Sequence, residues 1–519
     1  MIYIGNNEIS NIYIGTDEIY GIYAGDLQIY PTDFGIVTAI SLENLVWVED
    51  VPHSGGTADS GNCSFDVYAY YDSGKRRKVN KDTVISGSLV VPEATADTRE
   101  MVGTLTLTAT YSGFTATGSV DVYQAALFEP SKEPLTFSIL SAGTIIWRAS
   151  NTSIAKTIEY KLNNGAWASI TSNTGSSAPT ITVNSGDKLQ FRGNNAQYST
   201  NYSNYNSFSG STASFEAKGN IMSLIYGDDF KNKLTISSTY AFGELFRGCA
   251  KLVSAENLIL PATTLASFCY QYMFMNCTSL TTAPELPATK LAEGCYYGMF
   301  LDCTGLTTAS ELPANTLANS CYGVMFQGCT SLTTAPELPA TTLAVYCYYN
   351  MFKGCTSLTT APVLPATTLA NYCYYNMFYD CTSLTTATEL PATTLAEACY
   401  RGMFWGCTSL TTVPSNLLPA TTLASDCYRE MFYVCTNLTT APALPATTLT
   451  SLCYDSMFYG CKKLNYIKCL ATDISALYCT SGWLYGVAST GTFVKAADMT
   501  GWTTGTSGIP TGWTVVNNS

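Results

Sequence analysis

"CYYNMFKGCTSLTTAPVLPATTLANYCYYNMFYDCTSL", residues 347–384, says nearly the same thing twice, 26 residues apart. Between the two copies Lys353-Gly354 becomes Tyr379-Asp380, and just ahead of them Val345-Tyr346 becomes Asn371-Tyr372, while the surrounding frame stays fixed. Cysteines at 269, 295, 321, 347, 373 and 399 keep this spacing; two residues inserted near Ser415-Asn416 put the next at 427, and Cys453 restores it. Eight copies are visible, preceded by a degenerate one around Cys249 and followed by a departing one after Cys469. A fixed period of this length marks an array whose units bury their faces on their neighbours and whose atypical end units cover the exposed ends.

Within a unit, "TTLANYCYYNMF" sets Leu369, Cys373 and Met377 at i, i+4 and i+8 beside Phe378, which predicts the apolar stripe of a short helix. Pro362 and Pro365 exclude a helix from the following stretch. There Leu358–Ala361 predicts a short strand whose copies stack at about 4.8 Å. The frame C-Y-x-x-M-F-x-x-C-T-S-L-T-T is what stacking demands, since identical side chains in register fill a continuous core. The x positions and their neighbours should face solvent. They hold Tyr346, Tyr349, Tyr372, Tyr375, Tyr379, Trp405, Tyr433 and Tyr459, candidate ligand-binding residues that offer rigid, amphipathic contact area. The competing expectation is that these tyrosines pack on neighbouring units or on another protomer.

Outside the array the pattern changes to period two. Three decapeptides open the chain, with Gly5, Gly15 and Gly25 in register, and each reads as strand, turn, strand. Such small hairpins bury too little to stand alone, so residues 1–33 are expected to be an anchor. Ile2, Tyr3, Ile12, Tyr13, Ile22 and Tyr23 are its candidate docking residues. Alternating segments such as "CSFDVYAYY" predict an immunoglobulin-type sandwich over 34–127. A second sandwich is predicted over 128–232, where "TIEYKLNNGAWASI" carries an Asn-Gly hairpin signal. The fold class is therefore mainly β with short helices, continuing into a repeat solenoid over 233–488 and a C-terminal cap over 489–519.

The segments "MFKGCTSLTTAPVLP" and "MFYDCTSLTTATELP" resemble the BspA-type leucine-rich repeats, whose units run aromatic, two variable residues, Cys, two more, Leu, then a strand and Pro. The likeness covers roughly residues 240–488 and implies adhesion or ligand recognition, as in surface proteins of Bacteroidetes and their phages. The unit here is longer than the family norm and carries a second cysteine. The ending "GTFVKAADMTGWTTGTSGIPTGWTVV" is similar to the segment that closes such arrays. The decapeptides resemble repeats that open tail-associated virion proteins of crAss-like gut phages, and residues 34–127 are read as BACON-like. These resemblances imply a phage tail fibre or receptor-binding adhesin that docks on other virion proteins through residues 1–33. Its array would meet a host-surface polysaccharide or outer-membrane protein, and a homo-oligomer, with a trimer among the options, is expected. "MIYIGNNEIS" has no basic n-region or apolar h-region. The expected setting is thus a virion assembled in the host cytoplasm without a signal peptide. A bacterial surface adhesin and a decoration protein without a ligand remain as alternatives.

Composition narrows the chemistry. Charged residues are 12% of the 519 and the formal net charge is −13, so no basic stripe exists for phosphates and nucleic acid is excluded as a partner. The single basic run, Lys75–Lys78, reads as a solvated loop. No apolar run is long enough for membrane insertion. With His53 the only histidine, His-based nucleophile systems and ordinary metal sites lack partners, and no cofactor motif appears in a supporting context. Glu285, Glu337, Glu389 and Asp380 could supply a carboxylate pair, but the glutamates share one repeat position, which favours a solvated row. The expected protein is not an enzyme. Cys347 and Cys355 would stand about 12 Å apart on a helix, beyond the roughly 7 Å a disulfide spans. The 20 cysteines are therefore expected to form two reduced, buried ladders.

Overall fold

The computed structural model describes residues 131–518 continuously and, before them, a set of strands between Ile2 and Gln124 with the short connections at 83, 87–88 and 112–113. Two compact units result, residues 1–128 and 129–519.

In the first unit each decapeptide forms a two-stranded antiparallel hairpin: Ile2–Ile4 on Asn7–Ile9, Tyr13–Ile14 on Asp17–Glu18, and Ile22–Ala24 on Leu27–Ile29. Two larger antiparallel sheets follow. One orders Arg76–Lys78, Cys63–Tyr71 and Val37–Trp47; the other orders Val84–Ser86, Glu100–Tyr111 and Phe114–Gln124. The long 100–124 hairpin turns on Ser112 and Gly113, both at positive φ (49° and 81°), as a two-residue turn matched to strand twist requires. Leu105, Leu107 and Val122 are buried, with Leu42, Leu45 and Phe65 packed on them from the other sheet. Of the basic run, Arg76–Lys78 is not a loop but a strand paired with Tyr68–Tyr70.

The second unit begins with an antiparallel sheet in the order Ala168–Thr171, Thr157–Leu162, Lys188–Arg192, Leu135–Ile139, Phe215–Asn220. Pairing then turns parallel. Phe215 faces Leu252 and Gly219 faces Leu258, so the first rung of the repeat array hydrogen-bonds to this sheet directly. The core is equally continuous: Phe137 packs on Phe191, Phe208 and Phe215 at 4.4–4.9 Å and on Phe246 of the array at 6.0 Å. Sheet and core thus both run across residues 215–252, where the sequence suggested a change of domain. Strands Tyr466–Cys469, Thr492–Lys495 and Thr514–Asn517 continue the parallel order at the far end.

Between these ends, successive rungs pair through isolated parallel bridges. Thr334, Thr360 and Thr386 form one file and Thr316, Thr342 and Thr368 another. The predicted strand Leu358–Ala361 therefore shrinks to one bridging residue per rung.

The predicted helix is absent. From Ala370 to Cys381 the chain makes consecutive turns, with Tyr372, Asn376 and Asp380 at φ of 53–58°. Odd-numbered N–H groups close three-residue turns (Cys373 to Ala370, Tyr375 to Tyr372, Met377 to Tyr374), while even-numbered ones reach the next rung (Tyr374 to the Cys399 carbonyl, Asn376 to Arg401, Phe378 to Met403). An α-helix repeats every 3.6 residues and would carry a strict four-residue spacing off its stripe. A left-handed residue in each fourth position keeps the spacing at four, and Cys373-Tyr374 and Met377-Phe378 point inward at every turn. The positions concerned were readable. The residue before the second cysteine is Asn276, Asp302, Gly328, Gly354, Asp380, Gly406 or Gly460, with Val434 the exception, and these are the types that tolerate positive φ. The only α-helix among the described residues is Ser223–Tyr226.

Candidate functional site

In each rung Cys373, Tyr374, Met377, Phe378, Cys381 and Leu384, or their counterparts, are buried and build the core that holds the outward positions in line. Tyr348, Tyr374 and Tyr400 stack at 5.7 Å in one buried column, and Phe352, Phe378 and Phe404 at 5.7 Å in a second. Beside them run two files of buried, free cysteines. Burial pushes thiols such as Cys373 up to about 12, so they stay protonated and unreactive. The second file also donates: Cys381 Sγ lies 3.1 Å from the Phe352 carbonyl of the preceding rung, and Cys355 repeats this on Phe326.

The outward positions form three columns. The first holds Ser320, Tyr346, Tyr372 and Ala398, with the two tyrosine rings stacked at 4.8 Å. The second holds Tyr297, Gly323, Tyr349, Tyr375 and Arg401; Tyr349 and Tyr375 stack at 5.4 Å and the guanidinium covers Tyr375 at 5.4 Å. Tyr346 meets Tyr349 edge-on, at 89°. Both tyrosine columns, in contact with each other, line an open trough of about 480 Å³ that runs from Tyr297 and Ser320 to Arg401. At Gly323 a Cβ would lie 2.8 Å from the Tyr297 ring that leans over it, so a side chain there would have to displace that ring.

The third column runs Lys353, Tyr379, Trp405, Tyr433, Tyr459 and Tyr485. Its ammonium lies 4.5 Å from the first ring and the rings stack at 3.9–5.2 Å throughout. All eight aromatic residues singled out from the sequence thus stand in these columns. Tyr346, Tyr349, Tyr372 and Tyr375 come together in the trough, while Tyr379, Trp405, Tyr433 and Tyr459 form the separate third column. Tyr346 is exposed; the other seven are half-buried, their faces on neighbouring rungs and their edges outward.

Electrostatics is local, with two guanidinium groups among three carboxylates. Arg401 pairs with Glu430 at 3.2 Å and Asp426 at 3.7 Å, and Arg429 with Asp426 at 3.2 Å and Asp455 at 3.0 Å. Tyr372 donates its hydroxyl proton to Glu397 at 2.8 Å, and that bond pushes its ionisation up to about 12. The row of Glu285, Glu337 and Glu389 is exposed on the proline-containing stretch of the rung, apart from Asp380, which sits at the edge of the third column. No metal-binding group of three ligands occurs among the described residues.

Sequence reasoning missed Tyr297, Arg401 and Tyr485. Tyr297 and Arg401 occupy the same frame position as Tyr349 and Tyr375. Tyr485 is found once Trp483-Leu484-Tyr485-Gly486-Val487 is aligned on Met457-Phe458-Tyr459-Gly460-Cys461. Of the docking candidates, Ile2, Tyr3, Tyr13, Ile22 and Tyr23 lie on hairpin strands whose side chains are outside the described set, and Ile12 lies outside the described residues altogether.

No curated protein matches the chain. Residues 229–359, 269–411 and 350–476, however, match the BspA type Leucine rich repeat region in six copies, so the stretch that carries most of these columns is similar to BspA-type leucine-rich repeats.

Proposed function

We propose that this chain is a recognition protein whose varied repeat face binds a host-surface ligand, a polysaccharide or an outer-membrane protein, and whose residues 1–33 dock it on a phage tail as a homo-oligomer. It acts by binding, without catalysis. BspA-type repeats suggest surface adhesion or protein interaction, which supports the coarser part of this reading. The observation that carries it is the placement of large aromatics in the three outward columns while the inward columns keep one composition. Surfaces of that kind mark binding sites. In this reading the Ig-like, BACON-like residues 34–127 are a spacer, and the array is a leucine-rich-repeat solenoid.

Replacing Tyr375, Tyr379 and Trp405 with serine is the test. Host-cell binding falls away while thermal unfolding stays cooperative; loss of the fold would instead assign these residues to packing. The repeat family itself favours a second reading, a bacterial surface adhesin. Quantitative mass spectrometry on purified phage particles and on uninfected cell envelopes separates the two, since each reading places the protein in one fraction.

A further inference from the structure

Face-to-face stacking occupies ring faces. Along the third column every ring from Trp405 to Tyr459 has a neighbour on both sides, and Lys353 covers the Tyr379 end. The trough differs. Outward side chains lean over the following rung: the Phe268 ring covers Gly294, Tyr272 covers Gly298 and Tyr297 covers Gly323. Tyr346 likewise stacks forward on Tyr372, and the residue one rung behind it is Ser320. Two ring-sized places are therefore missing from the column, at Gly294 and Ser320, and the one next to Tyr346 is floored by Ser320 and backed by the Tyr346 face turned away from Tyr372. Tyr346 is 37% exposed.

Resting on the recognition reading above, we infer that this trough is a subsite for a neutral oligosaccharide, with one pyranose ring seated over Ser320 on Tyr346 and further units running toward Arg401. Three observations favour this occupant. The volume, about 480 Å³, suits a small ligand rather than a flat protein partner. The lining is amphipathic: ring carbons for the C–H face of a sugar, and the Ser320 and tyrosine hydroxyls for its hydroxyl groups. The charge is already spent, because Arg401 is held by Glu430 and Asp426 and the chain is acidic overall at −13. A polyanion gains little there.

Ser320→Tyr tests the subsite directly. Tyr346 and Tyr372 hold tyrosine at φ of 55° and 58°, and Ser320 has φ 55°, so the new ring fits the backbone and extends the stack by one ring into the place beside Tyr346. The full chain and this variant are applied to a panel of neutral oligosaccharides and matched uronate-containing ones. The wild type is expected to bind neutral members, and the variant to lose about tenfold or more in affinity with its unfolding midpoint unchanged. Tyr346→Ala, which removes the platform instead of plugging it, gives the same loss and guards against misfolding of the first variant. Unchanged glycan binding in both variants, binding confined to the uronates, or no glycan binding by the wild type overturns the inference. If both variants bind cells normally while the Tyr375, Tyr379, Trp405 triple variant does not, the subsite falls and the recognition reading stands. If the triple variant also binds cells normally, both fall.

Discussion

The inward and outward columns share one backbone and one ring spacing, yet the inward ones keep a single composition and the outward ones vary. The buried phenylalanine column stacks at 5.2–5.7 Å and the outward tyrosine–tryptophan column at 3.9–5.2 Å. Stacking alone therefore does not fix composition. Confinement does: an inward ring is enclosed by Cys, Met and Leu at essentially zero exposure, whereas an outward ring has a free edge that tolerates tyrosine, tryptophan, lysine or leucine. What is constant in the array serves packing, and what varies is available for binding.

The sharpest break of this comparison is Phe378→Ala, which opens a cavity between two stacked neighbours and should cost about 3–5 kcal/mol, read as a fall in the urea midpoint. Tyr379→Ser, one residue along the chain but outward, should cost well under half of that. Equal costs would dissolve the distinction between the two kinds of column.

The next effect lies where the array meets its antiparallel cap. Glu244 occupies the outward position that Tyr272 and Gly298 hold in later rungs, but here it is buried beside Arg247, Tyr240 and Tyr272. Burial raises its carboxyl from 4.5 to about 7 against the opposing pull of Arg247. The folded protein thus holds the proton more tightly than the unfolded chain. The stability this contributes is full below 4.5 and is lost as pH rises through about 7. Glu244→Gln stays neutral, so thermal unfolding of the variant should lose that part of the pH dependence; an unchanged slope would show that Arg247 keeps the carboxylate charged.

The smallest effect concerns the backbone. Val434 sits at φ 57° where Gly406 and Gly460 sit at 71° and 74°. A β-branched residue is strained there, so Val434→Gly should stabilise by about 1 kcal/mol. A loss of stability would mean that packing of the Val434 side chain outweighs the strain.

Much of this was legible in the sequence. The 26-residue period, the nearly fixed frame and the aromatic variable positions all follow from comparing copies within one chain. The local conformation was misread because i, i+4, i+8 spacing also fits a helix; the recurrent Gly, Asn and Asp before the second cysteine carried the correction. Two features could not be read. Whether Tyr346 shows a face or an edge depends on which way rings lean between rungs, and the switch from antiparallel to parallel pairing at Phe215 depends on tertiary contacts with Leu252. Neither leaves a pattern of period two or four.

The alternating hydrogen bonds of the turn segment have a mechanical side. Between the rungs of Tyr372 and Glu397, five N–H groups, of residues 372, 374, 376, 378 and 380, cross to the next rung side by side. A tug along the array axis is shared by all five at every junction, and no single bond can give way alone. Interior rungs thus resist peeling, and yielding is confined to the ends, where a rung has a neighbour on one side only. In the recognition reading proposed above, the rungs at the middle of the array are the place where a ligand can be gripped without weakening the junctions.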